Sequence, residues 1–160
     1  MVDSRAKGRT AEVKAKEELR KASGLPWERT PLSGALDAKH MLKGDLYVPA
    51  HNLAFCVEVK HYKDDQLTSK VITSTNPTLM QWWDQTVREA GQMNKLPFLM
   101  FKFDRSKWFV ASTDLPLETG ISIALFDCET DMYFNVAGFN NLVKSLKTKD
   151  RVAKYFLEGS

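Results

Sequence analysis

Apolar and polar positions along the chain fall into two periods. Over residues 4–23, Ala11, Ala15, Leu19 and Ala22 recur at helical spacing, and Gly24 follows as a stop signal. That spacing predicts a helix. Residues 27–43, with Pro31, Ser33 and Gly34, predict a strand that runs into a loop. Leu46-Tyr47-Val48 and Leu53-Ala54-Phe55-Cys56-Val57 are short apolar runs on either side of a polar turn, the pattern of a hairpin. The polar stretch 61–76 predicts a loop. Asn76-Pro77 then opens a second helix, a capping residue followed by proline at the first helical position. Its stripe of Leu79, Trp82, Trp83, Thr86, Val87, Ala90 and Met93 carries it to about residue 94, with Gln81, Asp84, Gln85, Arg88 and Gln92 opposite. Residues 97–103 are almost continuously apolar, as in a central strand covered on both faces. After a turn at 104–107, residues 108–111 return as its partner. Weaker strands are predicted at 121–126 and 132–134, and one or two basic helices over 141–157. The order predicts an α/β (α+β) fold, a mixed β-sheet flanked by helices.

Bulk properties narrow the class. A chain of 160 residues is one domain by length, and it can bury a core without disulfides. No apolar run approaches the roughly 18 residues that span a bilayer, and the first residues lack a signal-peptide core, so no membrane partner is expected. Cys56 and Cys128 lie far apart in apolar runs and read as buried thiols of a reducing compartment, hence a cytoplasmic protein. The net charge of +3 says little by itself. Its distribution says more. Arg5, Lys7 and Arg9 open the chain, and Lys144, Lys147, Lys149, Arg151 and Lys154 cluster near its end, where they read either as solvated helix faces or as phosphate clamps.

Charge inside the hairpin brings in chemistry. Glu58 and Lys60 interrupt the second apolar run and share one face, because strand side chains alternate. Residues 45 and 58 are equidistant from a turn centred between His51 and Asn52, so Asp45 falls opposite Glu58. Opposed Cβ atoms stand about 4.5–5.5 Å apart. Two carboxylates that close repel unless a cation lies between them, and a small oxygen-rich site suits Mg²⁺. The hairpin therefore reads as a metal-dependent active site. Glu12 lies beside the apolar stripe of the first helix, with Gly8 one turn earlier allowing a close approach. His40, His51 and His61 show no metal-ligand spacing.

An Asp strand followed by Glu-x-Lys on the adjacent strand resembles the PD-(D/E)xK nuclease superfamily. Gly44 stands where the name has proline. The neighbouring motifs, Lys7-Gly8-Arg9-Thr10-Ala11-Glu12, Arg29-Thr30-Pro31-Leu32-Ser33-Gly34, Gly44-Asp45-Leu46 and Glu58-Val59-Lys60, follow the order found in archaeal-type Holliday junction resolvases and their bacteriophage relatives. A glutamine-bearing helix (Gln85), an apolar strand and a Trp-bearing return (Trp108) complete the likeness, which covers about residues 5–112. It implies a restriction-endonuclease-like sheet and a single nuclease domain over 1–160, with a core at about 5–112 and a basic helical C-terminal segment at about 138–158.

The resemblance also implies roles. Asp45, Glu58 and the Val59 carbonyl would bind Mg²⁺, with Mn²⁺ able to substitute, and Glu12 would join directly or through water. Lys60 would orient or deprotonate the attacking water. Ser33 would lie near the scissile phosphate, Arg5, Lys7, Arg9, Arg29 and Lys63 would hold DNA, and Gln85 would support the site from behind unless it lies on a solvated face. The implied activity is paired symmetric nicking of four-way DNA junctions by a homodimer, leaving 5′-phosphates, in a host cytoplasm if phage-encoded. Adjacent Trp82 and Trp83 either both enter the core or divide between core and partner. Two alternatives stand beside this reading: a restriction-like or nicking endonuclease, and a non-catalytic branched-DNA-binding module.

Overall fold

Helix α1 (Ser4–Ser23) starts the chain in the computed structural model, which describes residues 4–31 and 43–159, the side chains of 4–6 apart. Ala11, Ala15 and Leu19 are buried in one stripe, as their spacing predicts. Gly24 ends the helix at φ +73°, and its N–H donates to the Arg20 carbonyl at 2.8 Å. The turn that follows is fastened by Ser23, whose hydroxyl accepts from the Trp27 indole at 3.0 Å and donates to the Leu19 carbonyl at 2.6 Å.

Seven strands form one sheet in the order β1-β2-β3-β4-β5-β7-β6 among the described residues. They are β1 (Glu28–Arg29), β2 (Leu46–Tyr47), β3 (Phe55–Tyr62), β4 (Leu96–Phe103), β5 (Phe109–Ser112), β6 (Ser122–Asp127) and β7 (Met132–Gly138). Among the described residues only β3 and β4 pair in parallel. Parallel neighbours need a crossover. Here it contains the short helix α2 (Lys70–Thr73), inside the stretch that reads as loop, and the long helix α3 (Thr78–Gln92). Strand β4 is fourth of seven, and Phe98, Leu99, Met100 and Phe101 are fully buried, so the run at 97–103 is the central, doubly covered strand that its composition predicts.

Two apolar layers sandwich the sheet. On one face α3 sets Leu79 and Trp83 against Leu99, Phe101 and Phe134. Trp83 is fully buried and stacks on Phe134 at 4.3 Å between ring centroids. Trp82 is half-buried between Phe101 and Tyr62. On the other face α1 packs with the C-terminal helices α4 (Phe139–Leu146) and α5 (Lys149–Glu158). The basic tail is thus amphipathic. Val152, Tyr155 and Phe156 are buried against Trp27, Phe55 and Phe98, while Lys149, Arg151 and Lys154 face outward.

The cysteine reading needs correction. Cys56 is buried in β3, but Cys128 is exposed, because β6 ends at Asp127 and the next residue lies in the turn to β7. No described helix is long and apolar enough to cross a membrane.

Candidate active site

Strand β2 begins where Asp45 is steered onto β3. Gly44 adopts φ +82°, and a Cβ there would stand 2.8 Å from the Val57 carbonyl oxygen, so both the conformation and the space require glycine. The Asp45 N–H then donates to the Val57 carbonyl at 2.8 Å, and the Asp45 carbonyl accepts from the Thr30 N–H at 2.9 Å. Leu46 pairs with Val57, which is the register counted from the turn, and sets Asp45 opposite Glu58. The Val59 N–H donates to Asp45 Oδ2 at 2.7 Å. A strand residue presents its N–H and C=O to the same side, so the Val59 carbonyl looks toward the edge that Asp45 occupies.

Glu58 and Lys60 lie on the face of β3 that looks toward α3. Glu58 is only 2 % exposed. Its carboxyl is hydrogen-bonded to those of Asp45 and Glu89, and burial together with these two neighbours holds its pKa far above the usual carboxylate range. Burial likewise raises Asp45, against the Val59 N–H, the Glu58 hydrogen bond and the Lys60 charge. Glu12 reaches the same spot from α1. Burial first and Asp45 second push its pKa up, and Arg29, whose Nε donates to Glu12 Oε1 at 3.1 Å, pulls it down. Lys16 pairs instead with Glu28 at 4.0 Å, leaving Glu12 directed at the site.

The structure therefore gathers Glu12, Asp45, Glu58 and Lys60 at one edge of the sheet. Other predicted residues are distributed around it. Arg29 is engaged by Glu12, and Lys7 by Asp104 at 3.1 Å, where His61 also meets Asp104 at 2.8 Å. Arg9 and Lys63 are exposed. Gln85 is half-buried on α3. Gly8 does not serve a close approach, since nothing lies within 4 Å of where its Cβ would stand. Ser33 and the side chain of Arg5 lie outside the described residues.

Glu89 is the site residue that sequence reasoning missed. It stands one turn beyond Gln85 and meets Glu58, while its Oε2 is buried without a hydrogen-bond partner. A signal was present. Residues 82, 86, 89 and 93 follow the i, i+4, i+7, i+11 line of one helix face, so Glu89 is a carboxylate placed on an apolar stripe.

No three His, Cys, Asp or Glu side chains among the described residues stand as a ready-made metal cluster. The donor chemistry nevertheless fits a hard divalent cation. Asp45 and Glu58 offer touching carboxyl groups, the orphaned Glu89 oxygen is buried behind them, and all are oxygen ligands of the type Mg²⁺ selects. Burial raises the pKa of Glu58 and of Asp45, and a cation between them would favour the charged forms.

Comparison with known proteins assigns the chain to a family. The family model described as "Phage putative PDDEXK endonuclease" matches residues 3–156. Protein D14 of Escherichia phage T5 is 47 % identical over 113 residues, covering 69 % of this chain and 71 % of that protein. Among solved structures, Hjc of Archaeoglobus fulgidus, a Holliday junction resolvase from an archaeal hyperthermophile, aligns with a TM-score of 0.41 at 16 % identity, over 85 % of this chain and 87 % of its own. Matched along nearly its whole length, the chain belongs to the phage PDDEXK endonuclease family.

Proposed function

We propose that this nuclease is a Mg²⁺-dependent endodeoxyribonuclease that resolves four-way DNA junctions by paired symmetric nicks. The observation that carries the hydrolytic part is the convergence of Asp45, Glu58 and Lys60 from the hairpin with Glu12 from α1. The junction part is supported by the ordered motifs around them: the Lys7-Gly8…Glu12 helix, Arg29…Ser33-Gly34, Asp45, then Glu58-Val59-Lys60.

Asp45, Glu58 and the Val59 carbonyl would hold Mg²⁺, or Mn²⁺ in its place, with Glu12 as a direct or water-mediated ligand. When bound, the ion supplies Lewis acidity toward the phosphate and a water acidified toward neutral pH. Lys60 would orient or help deprotonate the attacking water and offset charge on the phosphorane. The water oxygen bonds to phosphorus, the bond from phosphorus to the 3′ oxygen breaks, and the product keeps a 5′-phosphate. A homodimer would place two such sites on one junction and act in the host cytoplasm.

Cleavage of labelled four-way junctions and of matched linear duplex, with Mg²⁺ and with chelator, tests both parts. Junction cutting that needs Mg²⁺, spares linear duplex and is lost in Asp45→Asn and Lys60→Ala is the expected result. Equal cutting of linear duplex would replace the resolvase by a restriction-like or nicking enzyme. DNA binding without cutting or Mg²⁺ uptake would leave a binding module.

A further inference from the structure

Helix α1 carries basic side chains in a line that leads away from the hairpin. Arg9, Lys14 and Arg29 border a cleft of about 450 Å³. Lys14 also borders the next cleft, of about 350 Å³, together with Lys102, Lys107 and Trp108. Glu18 and Asn140 join that cleft to a third, of about 300 Å³, edged by Lys21, Lys147 and Lys149. The shared walls make one furrow. It starts beside the active site, because Arg29 donates to Glu12. It ends at the turn between α4 and α5, so it links the basic clusters at the two ends of the chain.

Among the described residues the furrow's carboxylates are Glu17 and Glu18, and every other charged side chain that lines it is basic. Arg29 and Lys147 are held in ion pairs, with Glu12 and Glu118. Arg9, Lys14, Lys21, Lys102, Lys107 and Lys149 have no ion pair among the described residues. The Lys102 ammonium lies 5.7 Å from the centre of the Trp108 ring. From Arg9 to Lys21 the helix rises about 18 Å at 1.5 Å per residue. One DNA strand presents about five phosphates over that length at 3.4 Å each. Unpaired cations spaced along such a groove would release counterions from a polyphosphate backbone. A compact acidic ligand would leave most of them unused.

We infer that this furrow is a phosphate track, along which a duplex DNA arm runs from the Asp45–Glu58 edge to the α4–α5 turn. The inference rests on the nuclease reading for its ligand, but it can be tested without cleavage.

The test is the salt dependence of binding to a labelled duplex and to a labelled four-way junction in chelator. Lys102→Ala/Lys107→Ala and Lys21→Ala/Lys149→Ala alter the middle and the far end of the furrow, and Lys70→Ala/Arg88→Ala removes the same charge from the opposite face. Each furrow pair should flatten the slope of log K against log salt by about 2, close to 0.9 for each phosphate no longer neutralised. The opposite-face pair should leave it unchanged. Thermal unfolding checks that each variant is folded. Wild-type slopes in both furrow pairs, or an equal drop in the opposite-face pair, would overturn the inference. Loss of slope in the furrow pairs from a protein that never cuts DNA would sink the nuclease proposal and leave the track standing.

Discussion

The Val59 N–H donates to Asp45 Oδ2 at 2.7 Å, so a side chain occupies a place that the sheet ladder would otherwise give to a main-chain carbonyl. Strand β2 starts only at Leu46, and the chain has already turned away at Gly44. The Asp45 carboxyl is thereby oriented by backbone geometry, beside the Glu58 carboxyl to which it is hydrogen-bonded.

This bond separates two substitutions. The Asn side-chain oxygen can accept the same N–H, so Asp45→Asn should stay within about 1 kcal/mol of wild-type stability while cleavage falls by about 100-fold or more, roughly the cost of one strong transition-state interaction. Asp45→Ala leaves the buried Val59 N–H without its acceptor and should cost about 1–3 kcal/mol. Urea midpoints for the two variants, beside single-turnover cleavage, check the contrast.

Stability should depend on pH through Glu58. Its folded-state pKa is raised, so between the ordinary value of 4.5 and the folded value the unfolded chain holds fewer protons than the folded one. The contribution is complete below pH 4.5 and is lost as pH rises. In chelator, the melting temperature should therefore fall from about pH 6 to about pH 9, and Glu58→Gln should remove much of that slope. At about pH 8 the variant should melt higher by at least about 2–4 °C, the shift that about 1 kcal/mol produces in a domain of this size. Calorimetry at the two pH values decides it; a wild-type slope in Glu58→Gln would rule out this linkage.

The two thiols should behave differently. Burial and the neighbouring Glu58 and Glu89 push the Cys56 pKa up to about 12, whereas Cys128 stands exposed. An aromatic disulfide reagent at mildly alkaline pH should titrate one thiol in the native protein and two in denaturant. Cys128→Ser should abolish the fast reaction.

Phe156 anchors the C-terminal helix. Its ring is fully buried against Trp27 at 5.2 Å and Phe98 at 5.1 Å between centroids, and its carbonyl accepts from the Ala54 N–H at the start of β3. Phe156→Ala should cost about 3–5 kcal/mol. Chemical denaturation measures the loss, and a cost below about 1 kcal/mol would mean that α5 is not part of the cooperative core.

The Asp45–Glu58 hairpin was legible because its register follows from symmetry about a turn, and because alternation fixes which side chains share a face. Helix α1 was legible over its full length because Gly24 marks its end. In 113–160 the two strands and the basic helices were legible as elements, but their places in the fold were not, because their partners are distant in sequence. Strand β7 inserts between β5 and β6, and Phe156 meets Trp27 and Phe55. Local periodicity reports that α5 has an apolar side, yet not which aromatics it covers. Glu89 escaped for a related reason: its partner Glu58 lies on another element, and only the line through Trp82 and Thr86 hints that it points inward. Cys128 was misplaced because an apolar run does not reveal the residue at which its strand stops.

Gly44 carries a consequence for substitution. Proline holds φ near −65°, and the turn here needs +82° with no Cβ facing Val57. Pro-Asp, the pair that names the superfamily, is therefore incompatible with this turn, and a Gly44→Pro exchange would push Asp45 off β3. Proline at this position would require a different approach to the strand. In this chain the residue before the aspartate is thus set by the backbone route into the strand, and the aspartate itself by the chemistry.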